Sequence, residues 1–329
     1  MYRIVYFLLF CSTCAFAQIR FQYTATKMGS PFHLVFYADS SKAQKLAADA
    51  FGLVDSLNQI FSDYLPDSEL NRLSRTAGSG TRFPVSNHLY AVLLQSQEAA
   101  QKSKGAFDVT IGPLSQLWRK ARREKRFPVA DTIRQALQKM GYKKLRIDTK
   151  KKGVQLLQNG MQLDLGGIAK GYVAQKVIDF LTSKGISSAL ADAGGDIACS
   201  NPPPGKEGWT VGINRPENAE ELLPETITLY NEAIATSGDL YQYIEHDGKR
   251  YSHIIDPRTG YGVPFQRNVT VLAPDGATAD WLATACSILP VKESLRLADS
   301  EKAALLITQI REGKVSYHMN NRMKKRLRS

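Results

Sequence analysis

The sequence predicts an α+β fold, with mixed or antiparallel sheets and flanking helices. Three observations carry this. Short segments are rich in β-branched and aromatic residues, longer ones repeat apolar residues at the helical period, and the spacings between them are too unequal for a regular strand–helix–strand alternation. The 329 residues are 43% hydrophobic and 9% aromatic, which excludes disordered, fibrous and low-complexity classes. A length beyond the usual ~100–200 residues allows one large domain or two smaller ones, but no composition break marks a boundary. Forty-three Lys and Arg against 31 Asp and Glu leave a formal charge of +12, so a polyanionic partner such as nucleic acid, acidic lipid or a phosphorylated ligand has to be considered.

The first segment points to export. Arg3 precedes an apolar run over 4–10, and Ala15-Phe16-Ala17 follows before Gln18, the charge, greasy core and small-residue ending of a cleaved secretory signal spanning 1–17. The 14 residues of 4–17 fall short of the ~20 a membrane-spanning helix needs. A lipidated N-terminus at Cys11 or Cys14 is the alternative, although neither cysteine combines a small residue directly before it with a Leu three back, the pattern such processing prefers. Residues 32–37 then read as a strand. Ser40 or Ser41 caps a helix whose inner face carries Leu46, Ala47, Ala50, Val54, Leu57 and Phe61. A second helix is expected over 88–104, closed by Gly105. A third starts near Leu114 and sets Leu117, Trp118 and Ala121 among Arg119, Lys120, Arg122, Arg123, Lys125 and Arg126, a basic amphipathic helix ending at Pro128.

Residues 154–157 and 161–165 suggest two strands joined by Asn159-Gly160, leading into a helix over 168–184 that stops at Gly185. Strands follow at 188–191, 209–213, 226–235 and 304–308, with a helix over 279–289. Once the signal is removed, Cys199 and Cys286 are the only cysteines. They read as small buried residues, although pairing in an oxidising compartment stays open.

Chemistry concentrates in a few segments. Asp164-Leu-Gly-Gly-Ile-Ala-Lys170-Gly171 delivers an acid and two glycines to a helix start, where exposed N–H groups favour phosphate, though a tight strand-to-helix connection uses the same residues. Asp192-Ala-Gly194-Gly195-Asp196 is similar and is also compatible with a plain turn. His253-Ile-Ile-Asp256-Pro257-Arg258-Thr259-Gly260 joins turn chemistry to a base, an acid, a guanidinium and a hydroxyl within eight residues. Asp280 and Thr284, four apart on a helix, face the same way and with a backbone carbonyl would form a hard-oxygen site suited to Mg²⁺.

Taken together and in order, Met28-Gly29, FSDYLPDSELN (61–71), GAFDVTIGPLSQL (105–117), LDLGGIAKGY (163–172), AGGDI (193–197), ATSGDL (235–240), HIIDPRTG (253–260) and ADWLAT (279–284) resemble the ApbE family of flavin transferases. The resemblance covers nearly all of the chain after the signal and implies one α+β domain over 18–329, with a basic tail at 322–329. It also implies an exported, periplasmic enzyme that cleaves FAD with Mg²⁺, releases AMP and attaches FMN by a phosphoester to a Thr or Ser of an exported flavoprotein, such as a subunit of a redox-driven membrane complex. By motif, Met28, Tyr64, Ala106, Phe107, Asp108, Asp164, Lys170 and Ile254 would line the FAD, while Asp280, Thr284 and the Gly167 carbonyl would hold Mg²⁺. His253 would take the acceptor proton, with Asp256 close enough in sequence to orient or assist it, and Arg258 and Thr259 would instead shape the loop around the phosphates. Asp192 departs from the Asn common in the family. FAD hydrolysis to FMN and AMP, or passive FAD binding, remain alternatives for the same site. The basic clusters at 119–126 and 322–328 fall outside these motifs and read as surface, suited to contact with an anionic membrane, and nucleic acid is not expected as a partner.

Overall fold

In the computed structural model residues 19–214, 221–238, 242–311 and 313–327 are described; the signal segment and parts of ATSGDL and of the basic tail lie outside them. The chain opens with a hairpin of β1 (Ile19–Lys27) and β2 (Ser30–Ala38). Its two-residue turn, Met28-Gly29, has both residues at positive φ, 51° and 76°, the mirror-image turn whose twist matches that of the strands. α1 (Ser40–Phe61) follows, and its cap is Asp39, one residue before the two serines: the Asp39 carboxylate accepts from the Ser41 N–H. α1 buries Ala47, Ala50, Val54, Leu57 and Phe61 as the periodicity requires.

Next come α2 (Glu69–Ser74), β3 (Phe83–Pro84), α3 (Asn87–Lys102), α4 (Gly112–Glu124) and α5 (Ala130–Gln138). Lys104 and Gly105, both left-handed, turn the chain after α3. β4 (Leu145–Asp148) and β5 (Gly153–Leu156) pair with each other, and β3 adds to β5. The hairpin expected around Asn159-Gly160 does not form. The backbone of 161–165 bonds elsewhere, Leu163 N–H to the Ser74 hydroxyl and Asp164 N–H to the Val109 carbonyl, so this stretch is a strap leading into α6 (Ala169–Ser183) rather than a strand.

β6 (Ala189–Asp192), β7 (Ile197–Cys199), β8 (Trp209–Asn214), β9 (Leu222–Leu229) and β10 (Ala233–Gly238) come next. The single strand expected over 226–235 is two, broken at Asn231, whose φ is 46°. β11 (Tyr243–His246), β12 (Lys249–Ser252), β13 (Gln266–Ala273), α7 (Gly276–Ile288), α8 (Val291–Ser300), β14 (Ala304–Arg311), β15 (Lys314–Met319) and α9 (Asn321–Arg326) complete the chain.

Eight strands form one antiparallel sheet in the order β1-β2-β6-β7-β10-β13-β14-β15, which follows the chain, so the first and last strands lie at opposite edges. The sheet is buried on both faces. Phe32, Leu34 and Phe36 of β2 and Leu305 and Ile307 of β14 point into a large core with α1, α3, α6 and α7. Val35, Leu306 and Cys199 point the other way, onto Trp209, Ile227 and Leu229 of the β8–β9 hairpin and Met323 of α9. A third, smaller core joins Leu114 and Trp118 of α4, Ile133 and Ala136 of α5, and Ile255. Cys199 and Cys286 are both free and buried, one in each of the first two cores.

Candidate functional site

Between the large core and the small one lies a cavity of about 350 Å³ whose walls come from segments far apart in sequence. Of the residues named in advance, Tyr64, Ala106, Phe107, Asp108, Asp164 and Lys170 line it. So do His253, Ile254, Gly167, Asp280 and Thr284. Met28 and Asp256 do not. Met28 sits at the tip of the β1–β2 hairpin and packs against the large core. The next residue but one, Ser30, closes on Gly194 of the cavity wall so tightly that a Cβ on Gly194 would lie 2.6 Å from the Ser30 hydroxyl.

The two glycines before α6 serve a close approach. A Cβ on Gly167 would stand 2.7 Å from the Thr284 hydroxyl, so only glycine lets this backbone lie against α7. One turn on, Gly171 meets Gly276 at the crossing of α6 and α7: a Cβ there would fall 2.0 Å from the Gly276 carbonyl oxygen. At this contact the Gly171 N–H donates to the Asp280 carboxylate at 3.1 Å. Asp280 is buried and its pKa is raised well above the carboxylate range, by burial and then by the charge of Asp196; the Gly171 N–H and Lys170 oppose the shift. Asp196 is itself pushed up to about 7 by burial, Lys170 opposing and Asp192 adding. Two carboxylates are thus held near a single lysine. Thr284, one turn after Asp280, adds a hydroxyl on the same face of α7. Carboxylate, hydroxyl and the neighbouring Gly167 backbone form a set of hard oxygen donors, and a divalent cation would relieve the carboxylate repulsion. Among the described residues no group of three or more His, Cys, Asp or Glu side chains assembles, so further ligands would have to come from water or from phosphate.

The segment 253–260 folds as a turn that presents some of its groups and ties down others. The His253 N–H donates to the Gln242 carbonyl at 2.7 Å, and the Ile254 N–H to the Ser252 hydroxyl at 3.0 Å. Trp118 Nε1 donates to the Gly260 carbonyl, joining the turn to α4. The Asp256 carboxylate, which does not line the cavity, is engaged by Arg258: Oδ1 accepts from the Arg258 N–H and Nε at 2.9 and 2.8 Å, and Oδ2 from Arg258 Nη2 at 2.8 Å. Asp108, though on the wall, is used in the same structural way. Its oxygens accept from the Thr110 N–H and hydroxyl and from the Tyr142 N–H, while burial raises its pKa. Asp192 accepts from the Gly195 N–H at 2.7 Å and so shapes its own glycine turn.

The basic helix does not stay at the surface as its charge suggests: Arg119 and Arg122 both line the cavity. Arg119 donates to Asp63 and, at 2.9 Å, to Asp164, and its guanidinium lies 4.4 Å from the centre of the Tyr64 ring. Burial works against its charge, but Asp164 and Asp63 outweigh it and the Arg119 pKa is raised. Burial, and then the charge of Asp164, raise the pKa of Asp63 against the pull of Arg119. Arg122, half-buried one turn on, has no carboxylate partner among the described residues; burial and then the charge of Arg119 lower its pKa. A signal for Arg119 existed in the sequence. It lies one position after the buried Trp118, where α4 turns from core toward cavity, but a stretch of six cations over 119–126, four of them on the helix, hides which point inward.

The profile of the ApbE family matches residues 28–307. The FAD:protein FMN transferase of Klebsiella pneumoniae (strain 342) is 32% identical over 263 residues, 79% of each chain. That of Treponema pallidum (strain Nichols) is 34% identical over 263 residues, 76% of this chain and 72% of its own. Among solved structures, the flavin transferase ApbE of Vibrio cholerae superposes with a TM-score of 0.85 at 27% identity, covering 94% of this chain and all of the other. The apo flavinyl transferase ApbE of Pseudomonas stutzeri gives 0.85 at 25%, covering 96% and 99%. With a family match that spans nearly every segment of the cavity wall, the chain belongs to the ApbE family.

Proposed function

We propose that the protein is an exported, periplasmic FAD:protein FMN transferase that moves the FMN half of FAD onto a Thr or Ser hydroxyl of an exported flavoprotein, releasing AMP. The observation that carries this reading is the convergence, in one cavity, of His253, Lys170 and the Asp280–Thr284 oxygen pair, in a chain whose relatives are named for this reaction.

The acceptor oxygen attacks the phosphorus on the FMN side of the pyrophosphate; the bond to the bridging oxygen breaks and AMP leaves. His253 is the group on the wall suited to take the hydroxyl proton near neutral pH. Lys170, at the start of α6 and on the cavity wall, offsets phosphate charge. Asp280, Thr284 and the Gly167 carbonyl would hold Mg²⁺, which supplies charge neutralisation at the pyrophosphate when bound. Asp256 braces the turn that carries His253, through Arg258, instead of touching the hydroxyl. The basic end of the chain, with Lys324, Lys325 and Arg326 on α9, would favour contact with an anionic membrane where such acceptors reside.

The test is incubation of the chain from Gln18 onward with FAD, Mg²⁺ and exported flavoproteins, followed by mass measurement of the acceptor. A gain of one FMN, with AMP in solution, is expected. AMP without covalent flavin would instead make the protein a pyrophosphatase, and no AMP a flavin binder. His253→Ala should bind FAD as before and lose transfer by about 10²–10⁴-fold.

A further inference from the structure

Tyr64 stands 72% exposed at the cavity, an unusual position for an aromatic ring unless something else covers it. One face of the ring is already occupied by the Arg119 guanidinium at 4.4 Å. Arg119 in turn is not a loose surface cation. Its two terminal nitrogens are held by carboxylates from two different segments, Asp63 next to Tyr64 and Asp164 at the approach to α6, and its side chain is only 28% exposed. A guanidinium fixed at both ends is a rigid plane, and a ring stacked on it loses rotational freedom before any ligand arrives.

We propose that Arg119 is a positioning residue that presents the free face of Tyr64 as a stacking platform for a planar heteroaromatic ring of the dinucleotide substrate. The inference rests on the reading of the cavity as an FAD site and adds to it the means by which one ring of FAD is held. The platform contributes to binding and not to the chemical step, because neither side chain supplies a group that the transfer consumes. Asp63 and Asp164 belong to it as the clamps of Arg119.

Flavin fluorescence titration gives the FAD dissociation constant, and AMP release gives KM and kcat. Stacking on an aromatic side chain is worth about 10- to 100-fold in affinity, so Tyr64→Leu should raise Kd and KM by that factor while Tyr64→Phe stays within about twofold of the parent. Arg119→Gln, which keeps a polar amide but cannot stack as a cation, should raise both about tenfold and leave kcat within about twofold. Because Arg119 acts through the ring, Arg119→Gln added to Tyr64→Leu should change Kd by less than about twofold. AMP and FMN as competing probes identify the ring: the one whose inhibition weakens in the variants carries it. The proposal is overturned if Arg119→Gln leaves Kd and KM unchanged, if the two substitutions multiply, or if neither probe's inhibition moves. Tyr64 is exposed, so its variants stay informative even where Arg119→Gln destabilises the fold. A parent protein that binds no FAD defeats the reading of the site itself, whereas normal FAD binding by both parent and Arg119→Gln defeats only the platform.

Discussion

Asp280 is a buried carboxylate held near a second one, with Lys170 the cation beside them, an arrangement that weakens the fold unless a ligand completes it. Asp280→Asn keeps an oxygen for the Gly171 N–H and removes the charge. The variant should lose Mg²⁺ activation by more than the roughly 10–100-fold typical of groups that only support a ligand, and without metal it should melt no lower than the parent. An unchanged Mg²⁺ titration would remove Asp280 from the metal site. At this scale the sequence was legible where a residue's neighbours in the chain are also its neighbours in the cavity, as in LDLGGIAKGY and ADWLAT. It did not show that the Asp256 side chain is engaged only two residues along, by Arg258, and it misled at Arg119, whose partners Asp63 and Asp164 lie 56 and 45 positions away.

The crossing of α6 and α7 is the element on which the site depends, because Lys170 and Asp280 ride on the two helices that meet there. Gly171→Ala would drive a methyl into the Gly276 carbonyl, which is backbone and cannot rotate aside. A loss of at least about 1–3 kcal/mol is expected in denaturant unfolding, with Mg²⁺-dependent activity falling alongside it. Gly52, in the middle of α1 with open space around it, is the control: Gly52→Ala should gain about 0.5–1 kcal/mol and leave activity unchanged. A stable, active Gly171→Ala would show that the helices are free to part. Helices with a clear apolar stripe, such as α1, were readable nearly to their ends. The hairpin expected at Asn159-Gly160 was not, since its turn dipeptide is sound locally but Ser74 and Val109 claim the backbone of the second strand. The true first hairpin has Met at a left-handed position, a turn residue that composition does not advertise.

For the whole molecule, the central sheet decides the fate of Cys199 and Cys286, the two cysteines among the described residues. Cys199, on β7, points into the core beneath the β8–β9 hairpin, while Cys286, on α7, lies in the core on the opposite face. Side chains on opposite faces of a sheet cannot reach the short Cβ separation that a disulfide requires, so an oxidising compartment does not join them. Burial also pushes the thiols up, Cys199 to about 11 and Cys286 to about 12, which leaves little thiolate at neutral pH. The chain from Gln18 onward should therefore fold equally well with or without reductant. A thiol reagent should find no reactive group in the native protein and two in denaturant without prior reduction. A protein that consumes no reagent when denatured would contain the disulfide and would require α7 and β7 to be arranged differently from the sheet described. Because no covalent staple is present, stability rests on the packing of both faces of the sheet, so Leu306→Ala, which empties a buried position beneath α9, should cost about 2–5 kcal/mol although it lies outside the cavity. Its unfolding midpoint should fall while the FAD dissociation constant of the folded protein stays at the parent value.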